Sequence, residues 1–245
     1  MARSVLCLLL MFPLLPPADS VEPARTPVLV ELFTSEGCSS CPPADALLAK
    51  LDELQPVAGV TVIALEEHVD YWDHQGWRDP FSSADFTARQ QRYAQALHIE
   101  APYTPQMVID GRLEFVGNDS QRALHELASA AHNPKTPVHL TVNGNAALTV
   151  HIDPAPASAT VFLAIAETGL ASDVARGENA GRNLKHSAVV RKLTPIGKLQ
   201  PGEPFSAGPA LKLDKRWKLE NLRAVVFVAN ATGKVLGAAE LPLRN

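Results

Sequence analysis

Two cysteines spaced C-x-x-C, in Cys38-Ser39-Ser40-Cys41, are the residues of this chain best equipped to do chemistry. A pair at this spacing can close into a small disulfide ring and open again, which is two-electron dithiol–disulfide exchange. The thiolate is the attacking species, so such a pair works near neutral pH when its surroundings lower a thiol pKa. The flanking sequence predicts such surroundings. Val28, Leu29, Val30, Leu32 and Phe33 form a short apolar run of strand formers. Ala44, Leu47, Leu48, Leu51 and Leu54 recur at helical spacing and predict an amphipathic helix. The cysteines then sit at or just before a helix N-terminus, where unpaired N–H groups and the positive dipole end favour a thiolate. Pro42-Pro43 agrees, because proline fits only the first turn; the helix must begin around Ser39 to Pro42.

The N-terminus predicts where this chemistry happens. Residues 1–20 carry Arg3, an apolar stretch from Val5 to Leu15, and the small residues Ala18 and Ser20 at the −3 and −1 positions of a cleavage site. The stretch is too short to cross a bilayer as a helix, so the pattern predicts a signal peptide cut after Ser20, with an uncleaved anchor as the alternative. The expected location is exported, periplasmic or secreted, with no membrane attachment after cleavage. Cys7 would leave with the peptide, making Cys38 and Cys41 the only cysteines of the mature chain. Disulfide frameworks normally close long loops with several bridges. This pair closes almost nothing, which leaves a redox couple or a static clip. A zinc site built on the cysteines has no second C-x-x-C or H-x-x-x-H to complete it. The net charge of −4 gives no electrostatic case for nucleic acid or an anionic membrane as partner.

Further along, Val60 to Leu65 reads as a second buried strand, and Glu66 to Pro80 as a long polar and aromatic loop. Ser82 or Ser83 can cap a helix over Ala84 to Leu97. Gln106 to Ile109 and Leu113 to Val116 flank Asp110-Gly111, a strong hairpin signal, and a helix follows over Gln121 to Ala131. The order β-α-β-α-β-β-α favours a mixed sheet flanked by helices. With C-x-x-C after the first strand and Thr104-Pro105 before the third, residues 26–133 resemble the thioredoxin fold. In that superfamily the equivalent proline is cis and its loop lies beside the C-x-x-C, which implies that Thr104 and Pro105 present backbone to an extended substrate; an ordinary trans proline opening a strand is the alternative. The segments ELFTSEGCSSCPPAD, HVDYWD..GW.DPF, R.QRYA, TPQMVIDG and GENAGR.L.H..VVR resemble a family of secreted bacterial thioredoxin-like proteins known as a domain of unknown function. Gly37 departs from thioredoxins, which place Trp before the first cysteine, and Ser39-Ser40 brings neither proline nor cation between the pair.

Glu31 interrupts the apolar first strand. A carboxylate beneath the C-x-x-C, with its pKa raised by burial, can accept the proton of the buried thiol; strand alternation pointing Glu31 to solvent is the alternative. In the Glu66–Pro80 loop, Glu66, Glu67, His68, Asp70, Asp73 and His74 have no regular metal-ligand spacing. Tyr71, Trp72 and Trp77 are read as a substrate wall near Cys38 or as local core. Asn133 to Pro137 looks like a linker. Beyond it, Val138 to Val142, Ala147 to Ile152, Thr160 to Glu167, His186 to Leu193, Leu222 to Ala229 and Val235 to Leu241 read as strands, with Asn143-Gly144 as a hairpin turn, and residues 137–245 as a β-sandwich. Glu178, Asn179, Arg182, His186 and Arg191 form either a polar patch facing the cysteines or a long hairpin loop tied by its own hydrogen bonds. Asn230-Ala231-Thr232 is a glycosylation sequon or turn chemistry.

The expected function is an exported thiol–disulfide oxidoreductase acting on a protein or small thiol or disulfide. Cys38 attacks, Cys41 resolves, Thr104 and Pro105 hold substrate and Glu31 handles the Cys41 proton, with no cofactor beyond the cysteines. Two alternatives stand beside it: a binding module whose disulfide stiffens a loop, and a copper carrier using Cys38, Cys41 and His68 or His74. Oligomeric state is not legible.

Overall fold

Alternating burial on two faces sets the first strand, β1 (Thr26–Thr34), whose residues from Val28 to Thr34 are all buried. The computed structural model describes residues 25–142 and 147–243; the expected signal peptide and the expected Asn143-Gly144 turn lie outside them. Helix α1 (Pro42–Leu54) follows the cysteines and leads to β2 (Val60–His68), which pairs parallel with β1. Helix α2 (Ala84–Ala96), strands β3 (Gln106–Ile109) and β4 (Leu113–Val116), and helix α3 (Ser120–Ala130) complete the first half. Ser83 caps α2 by accepting from the Asp85 N–H. Asp110 and Gly111 both have positive φ, 51° and 59°, as a tight hairpin turn requires.

The second half adds β5 (Val138–Val142), β6 (Leu148–Ile152), β7 (Ala159–Glu167), β8 (Leu170–Asp173), β9 (Asn183–His186), β10 (Val189–Leu199), β11 (Phe205–Ala207), β12 (Leu222–Ala229) and β13 (Val235–Pro242). Four of these strands continue the sheet of the first half. β10 lies parallel to β2 through Val189 opposite Glu66, giving one eight-stranded sheet in the order β13-β12-β7-β10-β2-β1-β3-β4. The region over 137–245, expected as a sandwich, therefore shares its larger sheet with the first half. Its strands cover the edge of β2, which would otherwise present unpaired backbone groups. Among the described residues, β11, β6 and β5 form a separate three-stranded sheet, and β8 and β9 a two-stranded one. The molecule is an α/β region plus a β-rich region joined through one mixed sheet.

One face of the large sheet carries Val28, Val30 and Leu32 against Ala44, Leu48 and Leu51 of α1 and Leu127 of α3. Further along the same face, Val161, Leu163 and Ile165 of β7 pack against Leu148, Val150 and Ile152 of β6. The opposite face carries Leu29, Ile63 and Leu65 with Phe227 and Phe86 of α2. The sheet curls until the Val235 N–H donates to the Asp110 carbonyl at 2.8 Å, bringing β13 to the β3–β4 turn.

Two local readings change. The strand expected over 186–193 is broken at Ala188, whose φ is +60°, so β9 ends at His186 and β10 starts at Val189. The sequon is a turn: the Asn230 side-chain oxygen accepts from Thr232 and from the Lys234 N–H.

Candidate functional site

Cys38 and Cys41 form a disulfide at the N-terminal end of α1. Cys41 is the residue before the helix, and the N–H groups of Ala44 and Asp45 donate to its carbonyl at 2.8 and 3.1 Å. Pro42 and Pro43 occupy the first turn, where no N–H is needed. The Thr104–Pro105 bond is cis. Gly117 locates that proline: a Cβ there would stand 3.2 Å from Pro105 Cβ, 3.2 Å from Ala44 Cβ and 2.7 Å from Leu32 Cδ1. Gly117 therefore sits between Pro105 and Ala44 in the first turn of α1, the helix that the cysteines open. Gly37 is explained in the same way. A Cβ on it would stand 3.0 Å from Trp72 Cβ, and Trp72 Nε1 donates to Thr104 Oγ1 at 2.8 Å. Trp72 thus packs between the two loops, and Trp77 Nε1 donates to Glu36 Oε2 at 2.7 Å. Tyr71 instead reaches Gln90 on α2.

Neither cysteine is open to solvent: Cys38 is 1% exposed and Cys41 is fully buried. Cys38, the thiol expected to attack, is thus covered in this arrangement. The cover comes from the second half of the chain. Asn179 Nδ2 donates to the carbonyls of Glu36 at 2.8 Å and Cys38 at 3.0 Å. The Ser39 N–H donates to Glu178 Oε2 at 3.0 Å, and Arg182 holds Asn179 Oδ1 at 2.7 Å. Internal bonds, including Val174 N–H to Arg182 O and Gly181 N–H to Val174 O, keep this segment a tied hairpin loop. Both sequence readings of the segment hold in part: it is a tied loop, and four of its five polar residues face the cysteine loop or the buried groups beneath it. Arg191 does not; it pairs with Glu167 and lies over Phe81 and Trp217.

Beneath the cysteine loop is a buried group of acids and histidines. β2 runs three residues further than the sequence suggested, which takes Glu66, Glu67 and His68 out of the loop and into the sheet. Glu66 Oε1 lies 2.8 Å from His186 Nδ1 and 3.5 Å from His68 Nε2. His68 Nδ1 lies 2.7 Å from Asp79 Oδ2, and His186 Nε2 lies 3.1 Å from Glu36 Oε1. Asp79 also accepts from the Glu36 N–H at 2.8 Å, and Glu66 Oε2 accepts from the Ser187 N–H at 2.9 Å. Burial works against charge on His68, but the Asp79 charge and hydrogen bond, with Glu66, outweigh it and hold the imidazole well above its ordinary range. His186 behaves alike: burial lowers it, bonds to Glu36 and Glu66 raise it further, and it stands at about 9. Burial would raise both acids, yet the two histidines pull Glu66 below the ordinary carboxylate value, and His68 does the same for Asp79.

Asp45, one helical turn beyond Cys41, is also buried, and Thr34 Oγ1 donates to its Oδ1 at 2.6 Å. Burial first, then the Glu66 charge, push its carboxyl up to about 7. It is an acid on the cysteine side of the sheet, as Glu66 is. Glu31, assigned that role from sequence, lies on the other side with Leu29 and Phe33. There Arg89 Nε and Tyr93 OH each donate to it at 2.5 Å. The reason is alternation: Val30 and Leu32 point to α1, so Glu31 points to α2. The signal for Asp45 was present, since an acid four residues after Cys41 shares its helix face.

The family model described as "Protein of unknown function (DUF1223)" matches residues 29–229. The chain belongs to this DUF1223 family. Its matched span contains Cys38, Cys41, Pro105, the covering loop and His186, so the whole candidate site lies inside the DUF1223 region. No curated protein matches. The crystal structure of a protein from Agrobacterium tumefaciens, solved by a structural genomics consortium, is similar to this DUF1223 chain. It is 30% identical, covers 90% of this chain and 96% of that one, and superposes with a TM-score of 0.74.

Proposed function

We propose that this protein is a thiol–disulfide oxidoreductase with a thioredoxin-like arrangement of its first half, working in an exported location. The observation that carries the reading is the Cys38–Cys41 disulfide at the start of α1, with the cis Thr104–Pro105 bond across Gly117 from the same turn. In the reduced protein the Cys38 thiolate attacks a substrate disulfide, forming a mixed disulfide and releasing one substrate thiolate. Cys41 then attacks the Cys38 sulfur, the second substrate thiolate leaves, and the Cys38–Cys41 disulfide closes. Two electrons pass from protein to substrate, and the reverse sequence oxidises a substrate dithiol. Helix α1 supplies the positive end that favours the thiolate. Thr104 and Pro105 hold an extended substrate, a protein or a small disulfide. The reaction needs no group beyond the cysteines.

Exchange requires the Glu178–Arg182 segment to leave the sulfurs, because Cys38 is covered in the resting arrangement. The same burial favours a second reading, a binding module whose disulfide only stiffens the loop. Copper carriage by the cysteines gains no support: His74 is exposed, and His68 turns its other nitrogen to Glu66. The deciding experiment is disulfide exchange with a model protein disulfide. Cys38→Ser abolishes turnover, and Cys41→Ser accumulates mixed disulfides. Unchanged turnover in Cys38→Ser would overturn the oxidoreductase, and a disulfide that never exchanges would establish the binding module.

A further inference from the structure

The buried histidine group has the composition and the convergence of a metal centre, separate from the cysteines. Glu66, His68 and His186 each offer a ligand atom, and these atoms lie within 4.8 Å of one another. Two imidazole nitrogens and a carboxylate oxygen make a donor set suited to a borderline divalent ion such as zinc. Such a set is common in outline, so orientation matters more than residue type.

The orientation is specific. Each histidine has one ring nitrogen held by a carboxylate outside the group: His68 Nδ1 by Asp79 at 2.7 Å, and His186 Nε2 by Glu36 at 3.1 Å. The remaining nitrogens, His68 Nε2 and His186 Nδ1, both turn to Glu66 Oε1, at 3.5 and 2.8 Å. Ligands about 2 Å from a tetrahedral zinc stand roughly 3.3 Å apart, so these atoms are near the spacing an ion would impose. Carboxylates that hold the outer nitrogen of a ligating histidine fix its tautomer and aim its inner nitrogen at the metal. Here both histidines have that partner.

A second observation is independent of the count of ligands. His68 Nε2 is fully buried and has no hydrogen-bond partner. A buried polar nitrogen without a partner costs about 1–3 kcal/mol, and native proteins rarely leave one. A metal bond would satisfy it. Glu36, Glu66 and Asp79 bring three carboxylates around the two imidazoles, and a divalent cation replaces two protons there without changing the balance of charge.

We propose that Glu66, His68 and His186 bind one zinc-class divalent cation beneath the cysteine loop, with Asp79 and Glu36 as positioning residues. On binding, Glu66 Oε1, His68 Nε2 and His186 Nδ1 become ligands, and the protons on His68 Nε2 and His186 Nδ1 are both displaced to solvent. The ion ties β2 to the end of β9. Because β9 follows the Glu178–Arg182 segment, it anchors the cover of the cysteines. Its three protein ligands leave a fourth position for water, and the cysteines are not among its ligands. The proposal stands whether or not the disulfide turns over.

The test is metal content of the untagged full chain, refolded with zinc chloride and freed of loose metal by gel filtration. The expected result is about one zinc per chain, retained in a Cys38→Ser/Cys41→Ser variant and reduced at least tenfold in His68→Gln and His186→Gln. Asp79→Asn keeps the stoichiometry and weakens affinity roughly 10- to 100-fold. Cobalt loaded in place of zinc gives tetrahedral visible bands without thiolate-to-metal charge transfer, a readout that survives if a histidine variant fails to fold. Wild-type protein that retains no zinc would overturn the proposal and mark the group as a hydrogen-bonded relay. Loss of zinc in the double cysteine variant, or retention in both folded histidine variants, would overturn it by moving the ligands elsewhere.

Discussion

Glu66 and Glu67 are neighbours on β2, yet they enter two buried ionic groups of opposite design. Glu67 points to the α2 side, where Arg89 bridges it and Glu31 at 3.4 and 2.5 Å. Arg89 remains charged at any pH the fold meets, and its guanidinium also lies over Tyr93, Phe162 and Phe227. Glu66 points to the α1 side, where its cationic partners are His68 and His186, side chains that can give up a proton or take a metal. One group is closed by a permanent cation and serves the fold. The other is built from exchangeable partners under the cysteines. The difference teaches that buried charge alone does not mark a functional site in this molecule; the kind of counter-charge does.

The largest break in that comparison comes from the α2 side. Arg89→Met leaves Glu31 and Glu67 without their cation and should cost about 3–5 kcal/mol by urea unfolding, with cysteine exchange intact in the folded fraction. A loss below about 1 kcal/mol would mean that the pair is not the keystone of that side. The α1 side should instead respond to pH. The Asp45 carboxyl stands at about 7 in the fold, against about 3.9 unfolded, because burial favours its neutral form. Its contribution is complete below about pH 4 and is lost as pH rises through 7. Relative to Asp45→Asn, the wild type should lose on the order of 1 kcal/mol per pH unit across that window. Parallel stability curves for the two proteins would remove Asp45 from the account.

Smaller effects sharpen the geometry around the cysteines. Gly117→Ala forces a methyl against Leu32, Ala44 and Pro105 and should cost about 1–3 kcal/mol, with slower disulfide exchange as Pro105 shifts from α1. Asn179→Ala removes two bonds to the cysteine loop and should cost about 1–2 kcal/mol. It should also speed reduction of the disulfide by dithiothreitol several-fold, since the cover loosens. An unchanged rate would show that the segment does not limit access.

Much of the first half was legible because its signals are local. The C-x-x-C before an apolar helical stripe, the Asp110-Gly111 turn and the caps each act within a few residues, and β3 and β4 match their expected bounds. The Glu31 assignment failed on parity, since one residue of register exchanges the two faces of a strand. His186 was read as a strand start and as part of a polar patch or loop, without its partners Glu36 and Glu66, because they lie 150 and 120 residues away. The joining of β10 to β2 was equally hidden: the strand pattern of Val189 to Leu199 suits a separate sandwich as well as a shared sheet.

The most direct test of the account is equilibration of the Cys38–Cys41 pair in thiol–disulfide buffers, with free thiols trapped by alkylation and counted by mass. A redox-active pair titrates as one two-electron couple, with a midpoint between about −270 and −120 mV. A disulfide that stays closed below about −300 mV, or never equilibrates, would contradict the oxidoreductase and leave Cys38–Cys41 as a structural clip.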